Sequence, residues 1–184
     1  MANEIKAKQN GSVALFGNDL QKGFENMTQD DMALPFIRIL GQLSPQVTDG
    51  DSKFIDGAKP GMIYNTVTND LFDGKKGIKV IPCYYKKDYP EWSDRGDGPG
   101  APVATHSPGS PVIQTGKRDG SKIRLPNGNY LEETAYYYVM VENKQGGYSP
   151  ALITMKSTQL SVSKKWNSMM KSVQIDDGKG GFAV

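Results

Sequence analysis

The stretch Ala135-Tyr136-Tyr137-Tyr138-Val139-Met140-Val141, followed across Asn143 to Gly147 by Tyr148 to Met155, decides how this chain is read. Aromatic and β-branched residues suit a pleated strand. The two-residue side-chain period puts Tyr137, Val139 and Val141 on one face, the core, and Tyr136, Tyr138 and Met140 on the other. Two rings are thereby left facing outward. The turn residues between the two runs make them a hairpin. Another hairpin precedes it, with Ile123-Arg124-Leu125 and Tyr130-Leu131 flanking Pro126-Asn127-Gly128, because Asn-Gly readily adopts the positive φ angles of a tight turn.

Upstream, Met62 to Val67 and Ile78 to Lys87 read as strands joined through Asp73-Gly74. Pro82 inside the second lacks a ladder donor and so points to an edge position or a bulge. The apolar segment Phe36, Ile37, Ile39, Leu40 and Leu43 fits either a helix or a strand. Residues 93 to 116, dense in Gly and Pro from Gly96 to Pro102, read as an exposed loop able to move. Thr28 stands as an N-cap ahead of Asp30 and Asp31, with Pro35 keeping that helix short. Downstream, Ser157 to Val173 reads as a helix whose stripe of Val162, Trp166, Met169 and Val173 faces the sheet. Lys164, Lys165 and Lys171 then form a basic outer surface. The expected organisation is a flexible arm over 1–27, one mainly β domain over 28–175 with its C-terminal helix at 157–173, and a Gly-rich tail over 176–184.

Composition agrees with that organisation. A length of 184 residues suits one domain, and 21 Gly with 11 Pro favour short elements and turns over a helical bundle or coiled coil. No apolar run approaches the ~20 residues of a membrane-spanning helix. The N-terminus lacks the basic-then-apolar pattern of a secretory signal. The single Cys83 and the single His106 exclude an intrachain disulfide and any ordinary zinc site, and a reducing, intracellular setting is the simplest expectation. A net charge of +2 does not by itself announce a polyanionic partner, but the charge is uneven. Between Glu142 and Asp176 lie Lys144, Lys156, Lys164, Lys165 and Lys171 with no carboxylate among them.

Catalytic patterns are weak. His106 sits beside Ser107-Pro108 with nothing to mark a triad, and an exposed loop histidine is its ordinary reading. Cys83, in a strand, reads as a small buried residue. Gly74-Lys75-Lys76-Gly77 and the run from Gly96 to Gly100 lack both phosphate-loop fingerprints. Glu132 and Glu133 are adjacent on a strand and point to opposite faces, so they do not naturally converge on one reacting bond. No enzyme activity, metal or cofactor is expected.

Rings interleaved with cations are the stronger pattern. Tyr84-Tyr85-Lys86-Lys87-Asp88-Tyr89-Pro90-Glu91-Trp92 carries four rings and two lysines in nine positions. A sheet that displays flat rings beside Lys and Arg suits single-stranded nucleic acid, since unpaired bases stack on rings at ~1 to 3 kcal/mol each while cations follow the phosphates. In this reading Lys86, Lys87, Arg95, Arg118, Lys122 and Arg124 neutralise phosphates. Tyr84 or Tyr85, Tyr89, Trp92, Tyr136 and Tyr138 provide the stacking platforms, and the Gly/Pro loop after Trp92 closes over the strand. Only one of Tyr84 and Tyr85 faces outward if that strand is regular. The competing reading is structural: tyrosines are ordinary strand formers, and lysines guard sheet edges against aggregation.

Several segments together carry a resemblance: Leu34-Pro35-Phe36-Ile37-Arg38-Ile39-Leu40 continuing to Leu43-Ser44-Pro45-Gln46-Val47, Pro60 to Asn65, Ile78 to Pro82, Tyr89 to Trp92, Lys156 to Leu160, and Lys164 to Asn167. Over about residues 30 to 170 the chain resembles a tailed-bacteriophage family of single-stranded DNA-binding proteins. The resemblance implies an OB-like five-stranded antiparallel β-barrel that coats single-stranded DNA in phage replication or recombination, in the host cytoplasm. It implies phage replication or recombination proteins as partners and leaves room for a homo-oligomer. Many such binders end in an acidic tail, whereas this sequence ends in Gly180-Gly181-Phe182-Ala183-Val184: either that tail is absent or, as the abrupt end after a Gly-rich stretch suggests, a further C-terminal segment exists. The alternative expectation is a virion or assembly protein whose exposed tyrosines make protein–protein contacts.

Overall fold

The computed structural model describes residues 31, 33–94, 101–144 and 146–173, together with the backbone of 175–176 and 182–183. The expected arm 1–27, the helix start at Thr28, Arg95 and the Gly96–Gly100 loop lie outside the described residues, as does most of the tail. Residues Leu34–Val184 cluster as one compact unit.

The two longest facing segments organise this unit. Strand β4 (Val80–Trp92) lies antiparallel to β8 (Tyr130–Glu132) and β9 (Thr134–Glu142). The register is constant from Tyr84↔Tyr138 through Trp92↔Tyr130, so β8 and β9 act as one long strand interrupted at Glu133. Sheets branch from both ends of this ribbon. At the β9 end, β10 (Tyr148–Lys156) pairs with β9, and β1 (Phe36–Ile39) then pairs parallel with β10. Beyond β1 follow β2 (Ile63–Asn65) and β3 (Leu71–Phe72). At the β8 end, β5 (Ala104–His106) flanks β4, while β7 (Lys122–Arg124) and β6 (Lys117–Asp119) extend from β8. A separate pair, β11 (Ile175–Asp176) and β12 (Phe182–Ala183), lies near the C-terminus.

Among the described residues the expected five-stranded barrel is therefore corrected to an open sheet of ten strands. A barrel needs its terminal strands to meet, but β3 and β6 end the pairing order on opposite sides of the ribbon. The parallel β1–β10 pair is a second departure from an all-antiparallel design. Mainly β structure with a C-terminal helix stands. Both expected hairpins form, and Gly128 takes the positive φ of 89° at its turn. Phe36–Ile39 resolves as strand. The segment expected as a plain loop carries β5 and a short helix α1 (Pro111–Thr115), with Val103 N donating to Glu91 O at 2.8 Å.

Pro82 marks what its missing donor implies. Among the described pairings, Val80–Asp88 is bonded on the β9 side only, and Pro82 with Cys83 forms a bulge against Val139. Cys83 is exposed there, correcting its expected burial.

Both hydrophobic clusters lie on one face of the ribbon. Ala135, Tyr137, Val139 and Val141 join Ile37 and Ala151 in the larger cluster, under helix α2 (Gln159–Ser172). Ile123, Leu125 and Leu131 form the smaller one against Val112 and Ile113 of α1. Burying side chains such as Leu131 and Val139 is worth about 1.5 to 3 kcal/mol each, which fixes the register that displays the opposite face. Tyr137 is the pivot of the larger cluster. Its ring lies 4.5 Å from Trp166, and its hydroxyl lies 2.7 Å from both Ser163 Oγ and Asn167 Oδ1.

The helix is turned relative to expectation. Leu160, Ser163, Trp166 and Met170 face the sheet, whereas Val162, Met169 and Val173 are exposed. Leu160, Trp166 and Met170 supply the apolar contacts of that side, and the Tyr137 hydroxyl adds bonds to Ser163 Oγ and Asn167 Oδ1.

Candidate nucleic-acid interface

Residues opposite each other in an antiparallel pair share a face, so the ribbon register assigns every expected site residue to a side. Away from the core, one face carries Tyr84 opposite Tyr138, Lys86 opposite Tyr136, and Trp92 opposite Tyr130. It continues sideways to Lys122 and Arg124 on β7, Thr154 and Lys156 on β10, and Phe36 on β1, with Arg38 two residues on. The helices α1 and α2 contribute Val112, Ile113, Leu160, Trp166 and Met170 to the opposite, core face. The bulge creates this arrangement. Val80 and Pro82 oppose Val141 and Val139 on the core face, and the extra residue at Cys83 moves Tyr84 and Lys86 to the outer one.

Seven of the expected residues therefore share one face: Tyr84, Lys86, Trp92, Lys122, Arg124, Tyr136 and Tyr138. The structure separates the others. Tyr85, Lys87 and Tyr89 lie on the core side, where Tyr85 contacts Tyr137 at 5.1 Å and Tyr89 packs on the smaller cluster. Arg118 pairs opposite Ile123 and falls on that side too. These four are corrected as members of a single groove: consecutive strand residues alternate, so a contiguous ring-and-lysine run is split between faces. Tyr84 is 62% exposed and Tyr85 41%, so both reach solvent but in opposite directions.

Rings and cations on the outer face are interleaved. Lys86 Nζ lies 5.2 Å from the centre of the Tyr136 ring, and Tyr84 sits 5.7 Å from Tyr138. Lys122 Nζ lies 3.6 Å above Tyr130, with Arg124 at 5.6 Å from the same ring. Lys156 Nζ is 6.0 Å from Trp92, and Arg38 is 5.3 Å from Phe36. Such contacts are worth about 0.5 to 1 kcal/mol each where exposed, and they hold the cations in line with the rings. Burial, then the nearby Asp88 charge, pushes the Tyr136 phenol above its ordinary value, keeping it a neutral donor.

Carboxylates temper the charge. Lys86 pairs with Asp88 at 2.8 Å, Lys156 with Glu132 at 2.7 Å, and Arg124 with Asp94 at 3.1 Å and Asp119 at 3.4 Å. On the core side, Lys87 pairs with Glu133 at 3.2 Å. The Asp88 hydrogen bond raises the Lys86 pKa and the Glu133 bond raises that of Lys87, so both remain ammonium ions in neutral solution. Pairs between exposed partners, such as those of Arg124, contribute about 0 to 1 kcal/mol, a barrier that phosphate oxygens can compete against.

Sequence reasoning missed Tyr130, Lys156, Phe36 and Arg38. The two-residue period from Tyr136 back to Tyr130 was available once residues 130–142 are seen as continuous. Lys156 needed the β9–β10 register. Phe36 and Arg38 needed the parallel β1–β10 pair, for which no local pattern exists.

His106 is not an exposed loop residue. Its Nε2 meets Glu91 Oε2 at 2.7 Å, and Glu91 Oε1 accepts from Asn129 Nδ2 at 2.6 Å and Asn127 Nδ2 at 3.2 Å. Glu91 is buried, and the Asn129 bond first, with His106 next, lowers its carboxyl pKa below the ordinary range. The cluster ties β5 and the Asn127–Gly128 turn to the ribbon. Among the described residues no group of three or more His, Cys, Asp or Glu is placed to hold a metal. No described helix is long and apolar enough to cross a membrane.

These features define a mainly β protein whose central strand pair carries rings and cations together on one face. The chain belongs to the Pam3 phage gp34-like protein family, which it matches over residues 7–184, and is a phage protein. No curated protein and no solved structure matches it.

Proposed function

We propose that the chain is a non-catalytic single-stranded DNA-binding protein of phage replication or recombination, acting in the host cytoplasm with little sequence preference overall. One observation carries this reading: Tyr84, Tyr138, Tyr136, Trp92 and Tyr130 share a face with Arg38, Lys86, Lys122, Arg124 and Lys156. Bases stack on the rings while phosphates exchange with the carboxylates that now pair Lys86 and Arg124. Counterion release makes the affinity fall with salt. Replication or recombination proteins are its expected partners.

Titration with oligo-dT tests the proposal, using a Trp166→Phe variant so that fluorescence reports Trp92 alone. Quenching at low salt that weakens as salt rises supports it; absence of binding in dilute buffer refutes it. A second reading, a virion or assembly protein, draws on the exposed Val162 and Met169 of α2, on Val173 just beyond it, and on Ile81 and Tyr84 along the β4 edge. It requires self-association or partner binding that persists when salt is raised, together with no response to oligonucleotide.

A further inference from the structure

β1 and β10 are paired only at Phe36↔Leu152 and Ile37↔Ile153, although both strands run on. Where they part lies a cleft of about 640 Å³. Trp92, Glu132, Tyr136 and Lys156 line its ring-bearing side, and Ile39 and Met155 belong to its aliphatic side. We propose that this cleft takes one unstacked nucleobase of the bound strand, and that Glu132 selects a base bearing an exocyclic amine over thymine. The inference rests on the single-strand reading above and adds a base-selecting subsite to it.

A nucleobase is apolar on both flat faces and polar around its rim. Aliphatic and aromatic walls suit the faces, and Glu132 suits the rim. The volume falls within the ~300 to 1,000 Å³ of small-ligand sites, enough for one nucleotide and too little for a run of stacked bases. Glu132 is buried, and Lys156 holds its Oε2 at 2.7 Å, which fixes the carboxylate in place. A carboxylate only accepts hydrogen bonds. The amines of cytosine, adenine and guanine donate to it, whereas thymine offers one ring N–H flanked by two carbonyl oxygens that a carboxylate repels. Lys156, half exposed with three donors, keeps capacity for the phosphate of the same nucleotide.

The experiment compares labelled oligo-dT with an otherwise identical oligonucleotide in which alternate positions are dC, by fluorescence anisotropy. Wild-type protein is expected to bind the dC-containing strand roughly tenfold more tightly, the scale of one well-placed base contact. Glu132→Gln, whose amide both donates and accepts, brings the two within about twofold while oligo-dT binding persists. Ile39→Trp, at an exposed position of the cleft wall, gives the same levelling by filling the space and keeps the test decisive should Glu132→Gln fail to fold. Equal wild-type affinity for both strands, with both bound, overturns the subsite and leaves the single-strand reading standing. If neither strand binds, that reading itself fails and the subsite with it.

Discussion

Replacing Asp88 by Asn should strengthen oligonucleotide binding, an outcome that separates a phosphate-binding face from a merely paired surface. Asp88 Oδ2 holds Lys86 Nζ at 2.8 Å, and Lys86 sits over Tyr136 in the middle of the ring-bearing face. Of the cations there, Lys86, Arg124 and Lys156 are engaged by carboxylates. For single strands the logarithm of affinity changes with the logarithm of salt by about −0.7 per phosphate neutralised. If Arg38, Lys86, Lys122, Arg124 and Lys156 all engaged phosphates the slope would be about −3.5, a loss near 100-fold between about 50 and about 200 mM salt. If the carboxylate-held three contribute nothing it falls to about −1.4. Asp88→Asn releases one cation, so the slope should steepen by about 0.7 and affinity at about 0.1 M salt should rise about fivefold. The lost ion pair costs stability only about 0 to 1 kcal/mol, so the variant should fold. Anisotropy titrations of labelled oligo-dT at several salt concentrations read both numbers. A folded Asp88→Asn protein with unchanged or weaker binding and an unchanged slope would show that Lys86 meets no phosphate.

Face assignment supplies another test: Tyr84→Ala and Tyr138→Ala should each weaken oligo-dT binding by about 1 to 3 kcal/mol, whereas Tyr85→Ala and Arg118→Ala should leave it nearly unchanged. Equal losses on both faces, measured in the same titration, would contradict the register argument. Tyr137→Phe should destabilise the fold by about 1 to 3 kcal/mol, because Ser163 and Asn167 lose a buried partner; the melting temperature should drop by about 2 to 4 °C per kcal/mol. Glu91 gives an acid-side signature. Its folded pKa is depressed by Asn129 and His106, so its stabilisation is complete above the ordinary carboxylate value of 4.5 and is lost as pH falls through the lower folded value. Urea midpoints measured from neutral to acidic pH should lose part of that decline in Glu91→Gln, and identical slopes in both proteins would refute the coupling.

Local chemistry determined much of this protein by itself. The alternation of Tyr137, Val139 and Val141, the Asn127–Gly128 turn and the missing donor of Pro82 each act within a few residues, so strands, both hairpins and the bulge were legible. A two-residue period is a property of the extended backbone and needs no partner. The helix at 159–172 was legible for the same reason, but the side it buries was not. Leu160, Trp166 and Met170 pack on the sheet, Tyr137 donates to Asn167 Oδ1 and its hydroxyl meets Ser163 Oγ, and those contacts exist only after the sheet is in place.

Only the tertiary structure decided which rings and cations belong together. A contiguous run such as Tyr84 to Trp92 reads as one patch, yet the pleat divides it between two faces, and one extra residue at Cys83 decides which half faces out. Phe36 and Arg38 come beside the site from more than a hundred residues away through the parallel β1–β10 pair. Its register arises from burying Ile37 and Ala151 in a shared core, not from any pattern that either strand carries alone. The open ten-stranded arrangement follows from the same long-range pairings: which edges meet depends on contacts distant along the chain, and local periodicity is blind to them.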